Sequence, residues 1–100
     1  MCWSICAIVS VLPAVAADPG ITDTRIKLGN TMPYSGPASG YSAVGKTEAA
    51  FFKMVNDTGG INGRTIDFIS VDDGYSPPKT VEQTRKLVEQ DEVFAMVGSL

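Results

Sequence analysis

The sequence contains no histidine, and its only two cysteines, Cys2 and Cys6, fall within the first 17 residues. The lack of imidazole removes histidine general bases and the commonest metal ligand. With both thiols confined to the start, residues 18–100 hold no disulfide and no thiolate metal site. Positive charge is also scarce. Eight Lys and Arg against eleven Asp and Glu give a formal net charge of −3, so there is no basic stripe for nucleic-acid phosphates to meet. Apolar residues make up 44% and charged ones 19%, the balance of a globular chain rather than a disordered one.

Long apolar runs are missing as well. The stretch from Ile5 to Leu12 is too short for a membrane span of about 20 residues. Pro13 breaks it, and the small residues Ala14, Ala16 and Ala17 follow. An apolar stretch ending in small residues predicts a secretory signal over residues 1–17, removed after Ala16 or Ala17. No Lys or Arg lies between Met1 and Ala17, so the usual positive start is absent. Neither cysteine has the setting of a lipid-anchored one.

What remains alternates between two periodicities. RIKLGN, Arg25 to Asn30, alternates polar and apolar as a strand does. Pro33, Gly36 and Pro37 then require a tight loop. From Ala38 or Ser39 to Asp57 the spacing is helical, with Val44, Phe51 and Val55 on the expected inner face. Thr58, Gly59 and Gly60 end that helix. Thr65 to Val71 is apolar on both faces, as in a covered parallel sheet. Ser76 is placed to cap a second helix with Pro77 in its first turn, running to about Gln90 and burying Val81, Thr84, Leu87 and Val88. Val93 to Val97 reads as a third strand. The order β-α-β-α-β predicts an α/β fold, a partial parallel, Rossmann-like sheet flanked by helices. An apolar strand of that kind needs neighbours on both sides, so residues 18–100 read as the first part of a longer protein.

Residues 35–47, SGPASGYSAVGKT, carry two messages. Gly40, Gly45, Lys46 and Thr47 fit the phosphate-binding pattern G-x-x-x-x-G-K-[ST], which predicts a nucleotide-binding enzyme. That mechanism requires the glycine loop to start where the strand ends. Here the strand ends near Asn30 or Thr31, about nine residues ahead of Gly40, which places Lys46 and Thr47 inside the helix. The spacing therefore favours a turn leading into a helix, and no catalysis. Asp72 and Asp73 stand at a strand's C-terminal end, where parallel sheets gather ligands, and could hold magnesium. No third carboxylate supports that, and capping of local N–H groups is the favoured role. Glu48 and Glu82 read as solvated helix residues. Tyr34, Tyr41 and Tyr75 fall in loops at one sheet edge, with Ser35 and Ser39, a set that suits a small-molecule cleft.

Three segments, IKLGNTMPYSGPASGYSAVGK, FFKMVNDTGGINGR and ISVDDGYSPPKTVEQTRKLVEQDEVFAMVGSL, together resemble the amino-terminal part of periplasmic branched-chain amino acid binding proteins. These are the leucine-type solute receptors of ABC importers, with the type I periplasmic binding protein fold. The resemblance implies a non-catalytic, cofactor-free receptor whose two lobes close on a solute and dock on a membrane permease. Residues 18–100 would be the N-terminal part of the first lobe, working in the periplasm. It assigns ligand contact to Tyr41 in the SGPxxxY loop, with Ser35 shaping that loop, and to Ser99 and Leu100 after the third strand. TMPYSGPAS also resembles relatives that bind aromatic acids, so the implied solute is a branched-chain or hydrophobic amino acid or a related small carboxylate. The same fold also serves sensory receptors, and only sequence beyond Leu100 separates the two uses.

Overall fold

The computed structural model describes residues 18–100; the expected signal over 1–17 lies outside them. Its elements are β1 (Arg25–Met32), a 3₁₀ turn (Ser39–Tyr41), α1 (Ser42–Asp57), β2 (Thr65–Asp72), α2 (Pro77–Glu89) and β3 (Ala95–Met96). The strands form one parallel sheet in the order β2-β1-β3, so the expected β-α-β-α-β arrangement is present.

β1 and β2 pair over their full lengths, from Arg25 opposite Thr65 to Met32 opposite Asp72. Alternate side chains of a strand point to opposite faces, and each face receives one helix. The even-numbered face carries Asn30 against Glu48 of α1 and Phe68 against Phe52, ring centroids 4.9 Å apart. The odd-numbered face carries Gly29, beneath Leu87 of α2 and Val93. Met32 and Leu87 are fully buried, with Ile66 and Val93 nearly so.

α1 is rotated from the expected face. Gly45 is buried and Glu48, Phe52, Val55 and Asn56 are half-buried, whereas Val44 and Phe51 are exposed. The reason is steric. A Cβ built on Gly45 would lie 2.8 Å from Met32 Cγ and 2.9 Å from Tyr34 Cζ, so the helix backbone rests directly on β1 where only glycine fits. That contact, which no apolar count registers, fixes the helix rotation. At the other end, Asn56 exchanges two 2.7 Å hydrogen bonds with the backbone of Ile66, tying α1 to β2. Gly60, at φ 76°, donates its N–H to Val55 O at 2.9 Å and closes the helix in the left-handed conformation glycine tolerates.

α2 differs in two respects. Val81 and Val88 are exposed and Leu87 alone of its residues is buried, so the stripe facing β1 is narrower than expected. Ser76 occupies the N-cap with extended dihedrals but makes no side-chain cap bond. Pro77 and Pro78 have no N–H to offer it, no side-chain cap bond forms to Lys79 either, and the start of α2 is organised by Asp73 instead. Asp73, buried, accepts from Tyr75 N at 2.9 Å and from Thr80 Oγ1 at 2.6 Å.

β3 spans two residues rather than Val93 to Val97. Phe94 N donates to Lys27 O, Val97 N to Gly29 O and Leu100 N to Thr31 O. The donors advance by three residues while the acceptors advance by two. Such surplus residues break the ladder as bulges do, and a continuous apolar run cannot reveal them.

Candidate functional site

The C-terminal ends of the three strands meet at one edge, where ligands of open parallel sheets collect. Three loops leave it: residues 33–38 after β1, 73–76 after β2, and 97–100 after β3.

The first two are bound together by Asp72. Its Oδ1 accepts from Tyr34 N at 3.0 Å, Ser35 N at 3.1 Å and Gly74 N at 2.9 Å, and its Oδ2 accepts from the Ser35 hydroxyl at 2.5 Å. The Ser35 hydroxyl above all, then the Gly74 N–H, hold the Asp72 carboxyl below the ordinary aspartate range. A carboxylate surrounded by donors in this way prefers its charged form. The Ser35 hydroxyl and N–H thus fasten the loop after β1 to the end of β2. Asp72 and Asp73 both accept from backbone N–H groups of the adjoining loops.

The sign of the Asp72 shift predicts a pH response. Because the folded state lowers its pKa, its contribution is fully present above about pH 4 and fades as pH falls through the lower folded value. We expect the acid limb of a stability profile to flatten in Asp72→Asn, read as unfolding midpoint from about pH 2 to 6. An unchanged limb would assign it to other carboxylates.

The third loop is fastened to β1. Thr31 N donates to Ser99 Oγ at 3.2 Å, and Leu100 N donates to Thr31 O at 3.3 Å. The Thr31 hydroxyl is itself buried without a hydrogen-bond partner among the described residues. Ser99 and Leu100 are exposed, so both present surface at the edge while their polar groups grip the strand. Tyr41, on the 3₁₀ turn, and Tyr75 are also exposed, at 60% and 61%. Tyr75 holds a left-handed φ of 58°, unusual for a bulky residue, and its N–H is fixed by Asp73. Tyr34 differs from these two. It turns inward, half-buried, and its hydroxyl bonds Ser70 Oγ beside Gly45.

Behind this edge lies a polar relay that sequence spacing did not suggest. Asn30, fully buried, accepts from Ser70 Oγ at 2.6 Å and donates through Nδ2 to Glu48 Oε2 at 2.5 Å and Gly98 O at 3.5 Å. Glu48 is therefore not a solvated helix residue. Burial pushes its carboxyl above the ordinary range, partly offset by the Asn30 hydrogen bond. The available signal was the position of Glu48 one turn after Gly45, on the face where glycine lets the helix touch the sheet. Glu82 is exposed, as expected.

The phosphate-cradle alternative fails on geometry. α1 begins at Ser42, ten residues after β1 ends at Met32, and Gly45 is packed against Met32 and Tyr34. The Thr47 hydroxyl donates to Ala43 O at 2.7 Å within the helix. Lys46 and Thr47 thus lie past the first turn, where they cannot share a phosphate with the helix's terminal N–H groups.

Residues 25–100 match the sequence profile of the family described as periplasmic binding protein. The structure is similar to the branched-chain amino acid transporter substrate binding protein of Streptococcus pneumoniae, solved in complex with isoleucine. That likeness has a TM-score of 0.70 and 30% identity over 75% of this chain and 22% of the other. It is also similar to a fatty acid ABC transporter substrate-binding protein from Thermomonospora curvata, with TM-score 0.67 and 34% identity over 78% of this chain and 20% of that one. An amino acid binding protein of Pseudomonas aeruginosa is 39% identical over 54 residues, covering 54% of this chain and 14% of the relative. The chain therefore spans about a fifth of the length of these solved relatives and about a seventh of the Pseudomonas protein.

Proposed function

Because the chain belongs to the periplasmic binding protein family, we propose that it acts as the solute receptor of an ABC importer. On this reading residues 18–100 form the N-terminal part of a first lobe, and residues 1–17 are the export signal that delivers it to the periplasm. The chain performs no catalysis and takes no cofactor. Its solute is a small carboxylate with an apolar body, a branched-chain or hydrophobic amino acid or an aromatic or aliphatic acid. The names of the two solved relatives, one complexed with isoleucine and one a fatty acid receptor, support that class. A membrane permease is the partner.

The observation that carries this reading is that the loops bearing the exposed groups all leave the same, C-terminal, edge of one parallel sheet, where ligands of such sheets collect. Tyr41 supplies an aromatic surface, Ser99 and Leu100 the loop after β3, and Ser35 the clamp that shapes the loop after β1. We assign solute contact to Tyr41, Ser99 and Leu100, and loop shaping to Ser35. Exposed aromatic and apolar surface beside a few polar groups suits an amphipathic carboxylate.

Receptors of this kind bind by closure: solute contacts with both lobes stabilise the closed form. Calorimetric titration with leucine, valine, phenylalanine and coumarate should give no micromolar binding by the 100-residue chain alone. A chimera carrying residues 18–100 in place of the matching segment of the Streptococcus pneumoniae receptor should bind at least one small carboxylate at micromolar concentration. Micromolar binding by the chain alone would sink the two-jaw reading. A folded chimera that binds none of isoleucine, octanoate or benzoate would sink the receptor reading.

A further inference from the structure

Gly98, Ser99 and Leu100 make three tertiary hydrogen bonds to β1, at 3.5, 3.2 and 3.3 Å. One lies at the top of the ordinary N–H···O range and two lie beyond it, so the loop is held lightly. A loop held so lightly depends on whatever orients its anchors. Two of the bonds go to the backbone of Thr31, which the β1–β2 ladder fixes. The third comes from a side chain, Asn30 Nδ2, and it needs an amide turned the right way.

The relay supplies that orientation. The Tyr34 and Ser70 hydroxyls are bonded to each other, and Ser70 donates to Asn30 Oδ1. The acceptor end of the Asn30 amide is therefore directed to β2 and its donor end to Glu48 and Gly98. Glu48 fixes the donor end in turn, since a carboxylate is the stronger acceptor of the two. Its carboxylate also lies against Gly98: a Cβ at that position would come within 2.9 Å of Glu48 Cδ and 3.1 Å of Oε2. Gly98 has φ 61°, so the chain turns left-handed at the point where a side chain would have to displace the Glu48 carboxylate. α1, β2 and the loop after β3 thus meet on one amide.

We propose that Glu48 is a positioning residue for the solute site, latching the Gly98–Leu100 loop to β1 through the Asn30 amide. The link to solute rests on the receptor reading above; the latch rests on the hydrogen bonds alone. Glu48 touches no solute in this scheme. It sets where Ser99 and Leu100 stand when solute arrives.

The latch is tested without solute by amide hydrogen exchange on the 100-residue chain and its Glu48→Ala and Glu48→Gln variants. Alanine removes the acceptor while keeping a strong helix former; glutamine keeps a carbonyl that can accept from Asn30. Glu48→Ala should speed exchange at Leu100 about tenfold relative to Thr65, whose N–H bonds Thr24 O, and Glu48→Gln should stay within about threefold of the parent chain. Equal acceleration at both amides would mark general destabilisation and overturn the latch. So would no change at Leu100 in Glu48→Ala, no rescue by Gln, or a parent chain unprotected at Leu100. In the chimera, Glu48→Ala should weaken binding of isoleucine or benzoate about tenfold, with Gln restoring it. Unchanged affinity beside a loosened loop would overturn the positioning role while leaving the receptor reading intact. Failure of the unsubstituted chimera to bind would overturn the receptor reading and the solute role together, leaving exchange to judge the latch.

Discussion

Asn30→Asp should destabilise the fold by about 3–5 kcal/mol at neutral pH, the cost of an uncompensated buried charge. The change is nearly isosteric, so the loss is electrostatic rather than steric. Asn30 is fully buried and its Nδ2 lies 2.5 Å from the Glu48 carboxylate. A second carboxylate there faces the first with no donor between them. Ser70 still donates to the unchanged oxygen, but the donor to Glu48 and Gly98 O is gone. One of the two acids will then bind a proton, since adjacent carboxylates resist joint ionisation. The folded variant accordingly holds a proton that the unfolded chain releases at neutral pH. Its stability deficit should shrink as pH falls toward about 5. Urea unfolding at pH 7 and pH 5 reads both parts. A deficit below about 1 kcal/mol at pH 7 would show that Asn30 and Glu48 are not in contact.

Gly45→Ala should destabilise by about 1–3 kcal/mol, the reverse of the rule for exposed helices. In an ordinary helix interior the same change gains about 1 kcal/mol. The new methyl would meet Met32 Cγ, which is fully buried, and the Tyr34 ring, which Ser70 holds by its hydroxyl. Neither can step aside without moving α1 off the sheet. Gly40 is the built-in control, because a Cβ there meets nothing within 4 Å; Gly40→Ala should change stability by less than about 0.5 kcal/mol. If both substitutions were neutral in chemical denaturation, the helix would not rest on β1 as described. The contrast also bears on the glycine-lysine motif, whose two glycines would be expected to matter alike in a phosphate cradle.

The parts of this fold that depend on local chemistry were readable in the sequence. The alternation of residues 25–30, the two-sided apolar pattern of residues 65–71, the proline-glycine loop and the Gly59–Gly60 stop place two strands and a helix without reference to the rest of the chain. The aspartate pair also reads correctly, because a strand end supplies N–H groups that need acceptors. The misread parts depend on partners distant in sequence. The inner face of α1 is set by a residue with no side chain, so Val44 and Phe51 looked like core and proved exposed. Glu48 looked solvated because its partner, Asn30, lies eighteen residues away on another element. β3 was shortened by surplus residues in its hydrogen-bond register with β1, which composition cannot disclose. For the candidate site, resemblance assigns Tyr41, Ser99 and Leu100 as an expectation, and the hydrogen bonds that fasten the loops join residues too far apart in sequence for any local pattern to show.

β1 comes first in the sequence and sits in the middle of the sheet. Arg25 pairs with Thr65, forty residues later, and Leu28 with Ala95, sixty-seven later. Contacts of such span form slowly because a long loop must close before any ladder bond offsets the lost freedom. A ribosome delivers β1 well before either partner, leaving its N–H and C=O groups free to pair with another chain. Arg25 and Lys27 stand at its leading end, and charge of that kind discourages such pairing. Once the strand finds β2, Arg25 turns to Asp67, while Lys27 Nζ reaches Asp91 O at 2.6 Å. The charges that guard the nascent strand against strangers become ties to its own neighbours.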